Sequence, residues 1–182
     1  MDHNDREIIT RLKDPDTRER AFNRLVELYQ ERLYWHIRKI ILSHDDADDV
    51  LQNLFLKVWK NIDNFREESS LFTWLYRIAT NESITFLNSK KRKNMLPLND
   101  ISEYLKENLE SDPYFDGDYL QMKLQQAIIK LPEKQRIVFN MRYFNEMKYE
   151  EMSKILGTSV GALKASFFHA VNKVEEYIKN SD

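Results

Sequence analysis

Cysteine is absent from the 182 residues, which excludes disulfides and thiolate metal sites and is compatible with a reducing compartment. Only 3 glycines and 4 prolines interrupt the chain. A β-rich fold needs many Gly, Asn and Pro turns, whereas so few breaks leave long helical segments, and the sequence therefore predicts an all-α fold. Neither a signal-peptide core nor a run of about 18 apolar residues is present, so the expectation is a cytoplasmic protein that does not span a membrane. Charge of one sign is lacking too: 28 Lys and Arg stand against 30 Asp and Glu, a net −2. That balance argues against a protein that coats nucleic acid nonspecifically, because counterion release needs a basic footprint. Histidine is sparse, and His3, His36, His44 and His169 are spread along the chain, which makes a multi-His metal site hard to assemble. His44-Asp45 resembles the paired His-Asp of metal phosphohydrolases, but Asp45 is better explained as a helix cap. No enzyme, catalytic residue, cofactor or metal is expected.

Hydrophobic residues, 42% of the chain, suffice for one ordinary domain or two small ones. Local charge divides it. Lys90, Lys91, Arg92 and Lys93 form one basic run, while Met95 to Leu120 holds seven acids against the single base Lys106. From Gln121 onward ten bases face seven acids. This alternation predicts two small helical domains, 1–94 and 119–182, joined by an acidic linker over 95–118 that Pro97, Pro113 and Gly117 punctuate. Within the linker only Asp100 to Leu109 has helical patterning, with Asp100 and Glu103 spaced as a capping box.

Taken in order, Asp5 to Leu12 predicts a short helix, and Thr17 predicts the cap of a longer one running to about Leu42. Asp45 and Asp46 are expected to cap the next helix, whose stripe is Leu51, Leu54, Phe55, Val58 and Ile62. Its other face carries Asp49, Gln52, Asn53 and Leu56, the mixture of polar and apolar groups found where a helix docks a partner. Beyond it, aromatic residues alternate with cations from Phe65 onward, a pattern suited to single-stranded nucleic acid, and Arg66 to Ser70 form a polar loop between two helices. Trp74 and Leu75 belong to a core stripe. Leu120, Leu124, Ile128 and Leu131 then open the second domain.

Lys148 to Asn172 is the most constrained stretch. Met152, Ile155 and Leu156 share one face of a short helix, Gly157 can take the left-handed conformation that ends it, and Thr158 and Ser159 can cap a second helix with the stripe Val160, Leu163, Phe167, Ala170 and Val174. This is a helix-turn-helix pattern. At about 100° per residue, Lys164, Ala165, Phe168 and His169 fall off the stripe, on a face fit for a major groove.

The order of these pieces resembles a bacterial RNA polymerase sigma factor of the extracytoplasmic-function (ECF) group of the sigma-70 family. The residues that carry the resemblance are DADDVLQNLFLKVWKNIDNF (46–65), SLFTWLYRIATN (70–81), LPEKQRIVFNMRYF (131–144) and YEEMSKILGTSVGALKASFFHAV (149–171). The resemblance implies that Asp49, Gln52, Asn53 and Leu56 dock on the clamp helices of the polymerase largest subunits. It gives Arg66, Glu67, Glu68, Ser69, Ser70 and Leu71, with Asn81 and the basic run Lys90, Lys91, Arg92 and Lys93, to the minus-ten element, where a flipped base is captured during strand opening. It places the second domain on the polymerase flap tip, with Lys164, Ala165, Phe168 and His169 reading the minus-thirty-five element. The partners implied are core RNA polymerase and promoter DNA, and an anti-sigma factor is an open further one. Four positions depart from the family pattern. Asn53 stands where Glu is usual, Lys148 where Ser or Thr often caps, which predicts a frayed helix start, and Lys164 and His169 replace frequent arginines. A stand-alone helix-turn-helix repressor remains the alternative; it would bind duplex DNA unaided and would not need the pattern from Asp46 to Asn81.

Overall fold

The computed structural model describes residues 3–93, 100–112 and 119–180. Among them there are helices and turns but no strand. Four helices form the first half: α1 (His3–Lys13), α2 (Arg18–Ile41), α3 (His44–Asn61), with a 3-10 turn at Ile62–Asn64, and α4 (Leu71–Lys93). Next come α5 (Asp100–Glu110), α6 (Tyr119–Ile129) and α7 (Glu133–Phe139), the last running into a π-helical turn at Asn140–Phe144. Helices α8 (Tyr149–Leu156) and α9 (Val160–Asn180) complete the described chain. The expected linker residues Met95 to Asn99 and Pro113 to Asp118 lie outside the described residues.

Local chemistry explains most boundaries and corrects two expected caps. Thr17 precedes α2, yet its hydroxyl donates back to the Arg11 carbonyl at 2.9 Å and lies 3.0 Å from Asp14, so it ties off α1 and does not cap α2. The cap of α3 is Ser43, whose Oγ accepts from the Asp46 N–H at 3.3 Å. Asp45 and Asp46 instead sit in the first turn, where their charge faces the positive end of the helix dipole. The π-helical turn adds a residue to one turn and so rotates the facing of the side chains after it. Met141 points into the core while Tyr143 is 53% exposed and stacks on Phe139 at 5.1 Å. Leu120 is also exposed, and α6 buries Ala127, Ile128 and Ile129 in its place.

The main hydrophobic core does not stop at the boundary between the halves. Leu25, Leu33 and Ile37 of α2, Leu54 and Val58 of α3 and Leu75 of α4 share one cluster with Ile137, Met141, Met147, Met152, Ile155 and Leu163. The acidic stretch contributes as well: Ile101, Leu105 and Leu109 of α5 pack with Ile40, Leu42, Leu87 and Ile129. An ion pair between Arg38 and Asp112, both side chains buried, holds the end of that helix against α2. The acids of α5 therefore cover one face of an amphipathic helix that is docked on the body.

At the seam lies a buried polar bridge. His36, 1% exposed, meets Thr80 Oγ1 through Nε2 at 2.9 Å, and that hydroxyl donates to the Tyr76 carbonyl. Thr80 therefore accepts from His36, and Nδ1 is left to accept from Asn145 Nδ2 at 3.0 Å. Asn145 Oδ1 in turn accepts from Lys39 at 3.2 Å, and Asn140 donates to the Lys39 carbonyl at 2.8 Å. A protonated His36 would aim a second N–H at the Asn145 amide group. Burial, helped by the positive Lys39, pushes the His36 pKa down from 6.5 to about 3. The folded protein thus binds fewer protons than the unfolded chain between those two values, so the stabilisation is complete above pH 6.5 and is lost as pH falls. This one residue should lower the unfolding free energy by about 2 kcal/mol between pH 7 and pH 5. Urea midpoints across that range, compared between the native chain and His36→Gln, should show the slope shrink in the variant.

Candidate nucleic-acid interface

The face of α3 expected to dock a partner is open. Asp49, Gln52, Asn53 and Leu56 are all exposed, Leu56 at 56%, because Ala47, Val50, Leu54 and Val58 turn the opposite face inward. Sequence reasoning missed Trp59, one turn beyond Leu56, which is 36% exposed. It stands edge-on to Phe22 at 5.0 Å and under the Arg18 guanidinium at 4.9 Å. Its spacing of three from Leu56 was the available signal.

The loop between α3 and α4 is pinned at both ends. Phe65 is buried and lies 4.8 Å from the Trp74 ring, and Ser70 caps α4 by accepting from the Thr73 N–H at 3.1 Å. Arg66, Glu67 and Glu68 are exposed and Ser69 is half-buried. Two expected contact residues are less open than the rest of the loop. Leu71 is fully buried and belongs to the core, so it supports the loop from beneath. The Ser70 hydroxyl is engaged in its cap and with Thr73 Oγ1 at 2.9 Å. Asn81 is exposed on α4, but ten residues of helix place it about 15 Å along the axis from Leu71. Glu67 has a φ of +60°, a left-handed conformation that non-glycine residues adopt rarely.

The basic run is not a uniform patch. The Lys90 ammonium lies 3.2 Å from Asp46 and over the rings of Phe86 and Tyr104, so it is committed to joining α3, α4 and α5. Tyr104 donates to the other Asp46 oxygen, and burial together with that acceptor pushes the phenol pKa up. Arg92 is exposed, while the side chains of Lys91 and Lys93 lie outside the described residues.

Helices α8 and α9 form the expected helix-turn-helix. Lys148 has no acceptor with which to cap α8, but the Glu151 carboxylate accepts from the Lys148 backbone N–H at 3.1 Å, which anchors the start that the sequence predicts to fray. Gly157 takes φ +64° and donates to the Ser153 carbonyl at 2.9 Å, and a Cβ there would meet no neighbour, so backbone conformation alone demands glycine. Ser159 Oγ accepts from the Ala162 N–H at 3.3 Å and caps α9. Leu163, Ala170 and Val174 are buried, with Phe167 stacked on Phe139 at 5.8 Å. On the outer face Lys164, Ala165, Phe168 and His169 are exposed together. The Phe168 ring is 61% exposed with the His169 ring 5.8 Å away, and Lys164 reaches back over Tyr149 at 5.8 Å.

The family models described as "Sigma-70 region 2" and "Sigma-70, region 4" match residues 25–93 and 121–174, together about two thirds of the chain. The ECF RNA polymerase sigma-E factor of Haemophilus influenzae is 28% identical over 185 residues, covering 96% of this chain and 95% of its own. The chain belongs to the sigma-70 family, in its ECF group. It is a sigma factor with a region 2 and a region 4. Two solved structures share its fold. CnrH, in complex with the cytosolic domain of CnrY, superposes with a TM-score of 0.72 at 21% identity, covering 98% of this chain and 99% of that one. The sigma factor RpoE of Bartonella quintana, in complex with the anti-sigma factor NepR, gives 0.68 at 22% identity, covering 87% and 96%.

In this sigma factor the outer face of α9 and the loop after α3 are surfaces, while the core lies beneath them. Among the described residues no helix is long and apolar enough to cross a membrane, and no cluster of three or more His, Asp or Glu is placed to hold a metal. Exposure of Phe168 has a measurable consequence. Phe168→Ala should change stability by less than about 0.5 kcal/mol, whereas Leu163→Ala, buried on the same helix, should cost about 2–5 kcal/mol. Thermal melts of the two variants check this, and a large drop for Phe168→Ala would return the ring to the core.

Proposed function

We propose that this sigma factor binds core RNA polymerase and directs promoter-specific initiation, reading the minus-thirty-five element with α9 and opening the minus-ten element with the loop Arg66–Ser69. The observation that carries it is Phe168, a large ring left 61% exposed beside His169 and Lys164 on the second helix of a helix-turn-helix. In a major groove Phe168 meets a thymine methyl, His169 a base edge, and Lys164 either guanine O6/N7 or a phosphate. The exposed loop and Asn81 serve the minus-ten strand. Asp49, Gln52, Asn53 and Leu56, now joined by Trp59, dock on the clamp helices, and the second domain, 119–182, docks on the flap tip. The first domain is 1–94, and 95–118 connects them with α5 seated on the body. An anti-sigma factor is a further partner, as one is for the Bartonella relative.

The compact body constrains how this works. Elements at minus ten and minus thirty-five are roughly 25 base pairs apart, about 85 Å at 3.4 Å per step, while a globular chain of this length has a radius of gyration of about 16 Å. The seam through His36 and Asn145 therefore parts when both elements are read. Free factor should bind duplex promoter DNA no better than the micromolar range typical of nonspecific contact. Tight, specific binding in a gel-shift without polymerase would overturn the sigma reading in favour of a repressor. Pull-down with core polymerase followed by run-off transcription on genomic fragments tests the whole proposal. Asp49→Lys, on the exposed second turn of α3, should weaken core binding by about tenfold with helicity unchanged. Unaltered core affinity in a titration would remove the α3 face from the interface.

A further inference from the structure

Lys13 ends α1 and Arg18 begins α2, on either side of one tight turn, and both lie outside the residues matched as region 2. Both reach the segment that leads from α3 into the strand-opening loop. Arg18 donates to the Trp59 carbonyl at 2.7 Å and to Asp63 at 3.0 Å, which holds the last turn of α3 and the 3-10 turn. Lys13 donates to the Phe65 carbonyl at 3.1 Å and to Glu67 Oε1 at 2.8 Å. Glu67 is the loop residue with the left-handed φ of +60°, a conformation that persists where surrounding contacts hold it. The mount behind Lys13 is rigid, since Ile8, Ile9 and Leu12 of α1 are buried in the main core.

We propose that Lys13 is a positioning residue for strand opening. From α1 it fixes the Phe65 carbonyl and the Glu67 side chain, so that Arg66 and Glu68 project from a preset loop and the captured base meets a formed site. This rests on the loop's role in minus-ten opening proposed above. Lys13 itself touches no DNA: its ammonium is engaged with two acceptors of its own chain. Arg18, gripping Trp59 beside Leu56, sets the same loop relative to the docking face of α3.

The test uses holoenzyme reconstituted from the full chain and core polymerase, on promoters recovered by run-off transcription, with permanganate reactivity of unpaired minus-ten thymines as the readout. Lys13→Ala should lower that reactivity about three- to fivefold, the upper end of what an exposed ion pair supports. Core affinity and melting temperature should stay at wild-type values, and Lys13→Arg, which keeps both donors in reach, should restore most of the signal. Opening by Lys13→Ala at the wild-type level overturns the inference. So does a loss of opening matched by equal losses in core affinity and melting temperature, because that pattern is general destabilisation, and so does a Lys13→Arg variant as defective as Lys13→Ala. Wild-type holoenzyme that opens no promoter would overturn the loop's role and this inference together, whereas wild-type opening unaffected by Lys13→Ala overturns this inference alone.

Discussion

A neutral histidine sealed in the core joins the two halves of this sigma factor. His36 has one nitrogen for each half: Nε2 donates to Thr80 of α4, and Nδ1 accepts from Asn145 beyond the π-helical turn. Around it, Met141, Met147, Met152 and Ile155 complete a core that α2, α3 and α4 begin. Buried polar groups are costly unless every one is paired, so the bridge selects one docking arrangement among the many that methionine-rich apolar surfaces would allow. The apolar contacts supply most of the attraction; the hydrogen bonds supply its register.

That arrangement determines which surfaces remain outside. Helix α3 turns Ala47, Val50, Leu54 and Val58 inward and so presents Asp49, Gln52, Asn53 and Leu56. Helix α9 buries Leu163, Ala170 and Val174 and so presents Lys164, Ala165, Phe168 and His169. In both helices the exposed set follows from the 3.6-residue period once the buried set is known, which is why these faces were legible in the sequence. The turn at Gly157 was legible for a different reason, because few residues other than glycine accept its backbone angles.

What could not be read were contacts between residues far apart in sequence. Periodicity marks Leu71 as apolar and adjacent to a polar loop, but only the packed fold shows that it lies wholly in the core. Composition marks 95–118 as an acidic connector, yet the stripe Ile101, Leu105 and Leu109 docks α5 on the body. Lys90 counts as a cation in the basic run until Asp46, Phe86 and Tyr104 are found around its ammonium. The His36–Asn145 pair spans 109 positions and Lys13–Glu67 spans 54, so neither leaves any local pattern.

The partner-dependence of the proposed function follows from how little unpaired positive charge the outer face of α9 and the loop carry among the described residues. Each neutralised phosphate contributes to affinity through released counterions, and the outer face of α9 offers one lysine, Lys164, among four exposed residues. Lys90 is already paired with Asp46, and the loop sets Arg66 beside Glu67 and Glu68. Specific contacts by one ring, one imidazole and one ammonium can discriminate between sequences, but they do not supply the phosphate contacts of a self-sufficient duplex binder. Tethering answers this without adding a contact to DNA. Once one surface is docked, the second binds at an effective concentration in the millimolar range for a short flexible connection, so two individually weak readers act together. A surface poor in cations is then an advantage, because unassisted binding at random sequence stays weak while the assisted binding depends on both elements being present at the right separation.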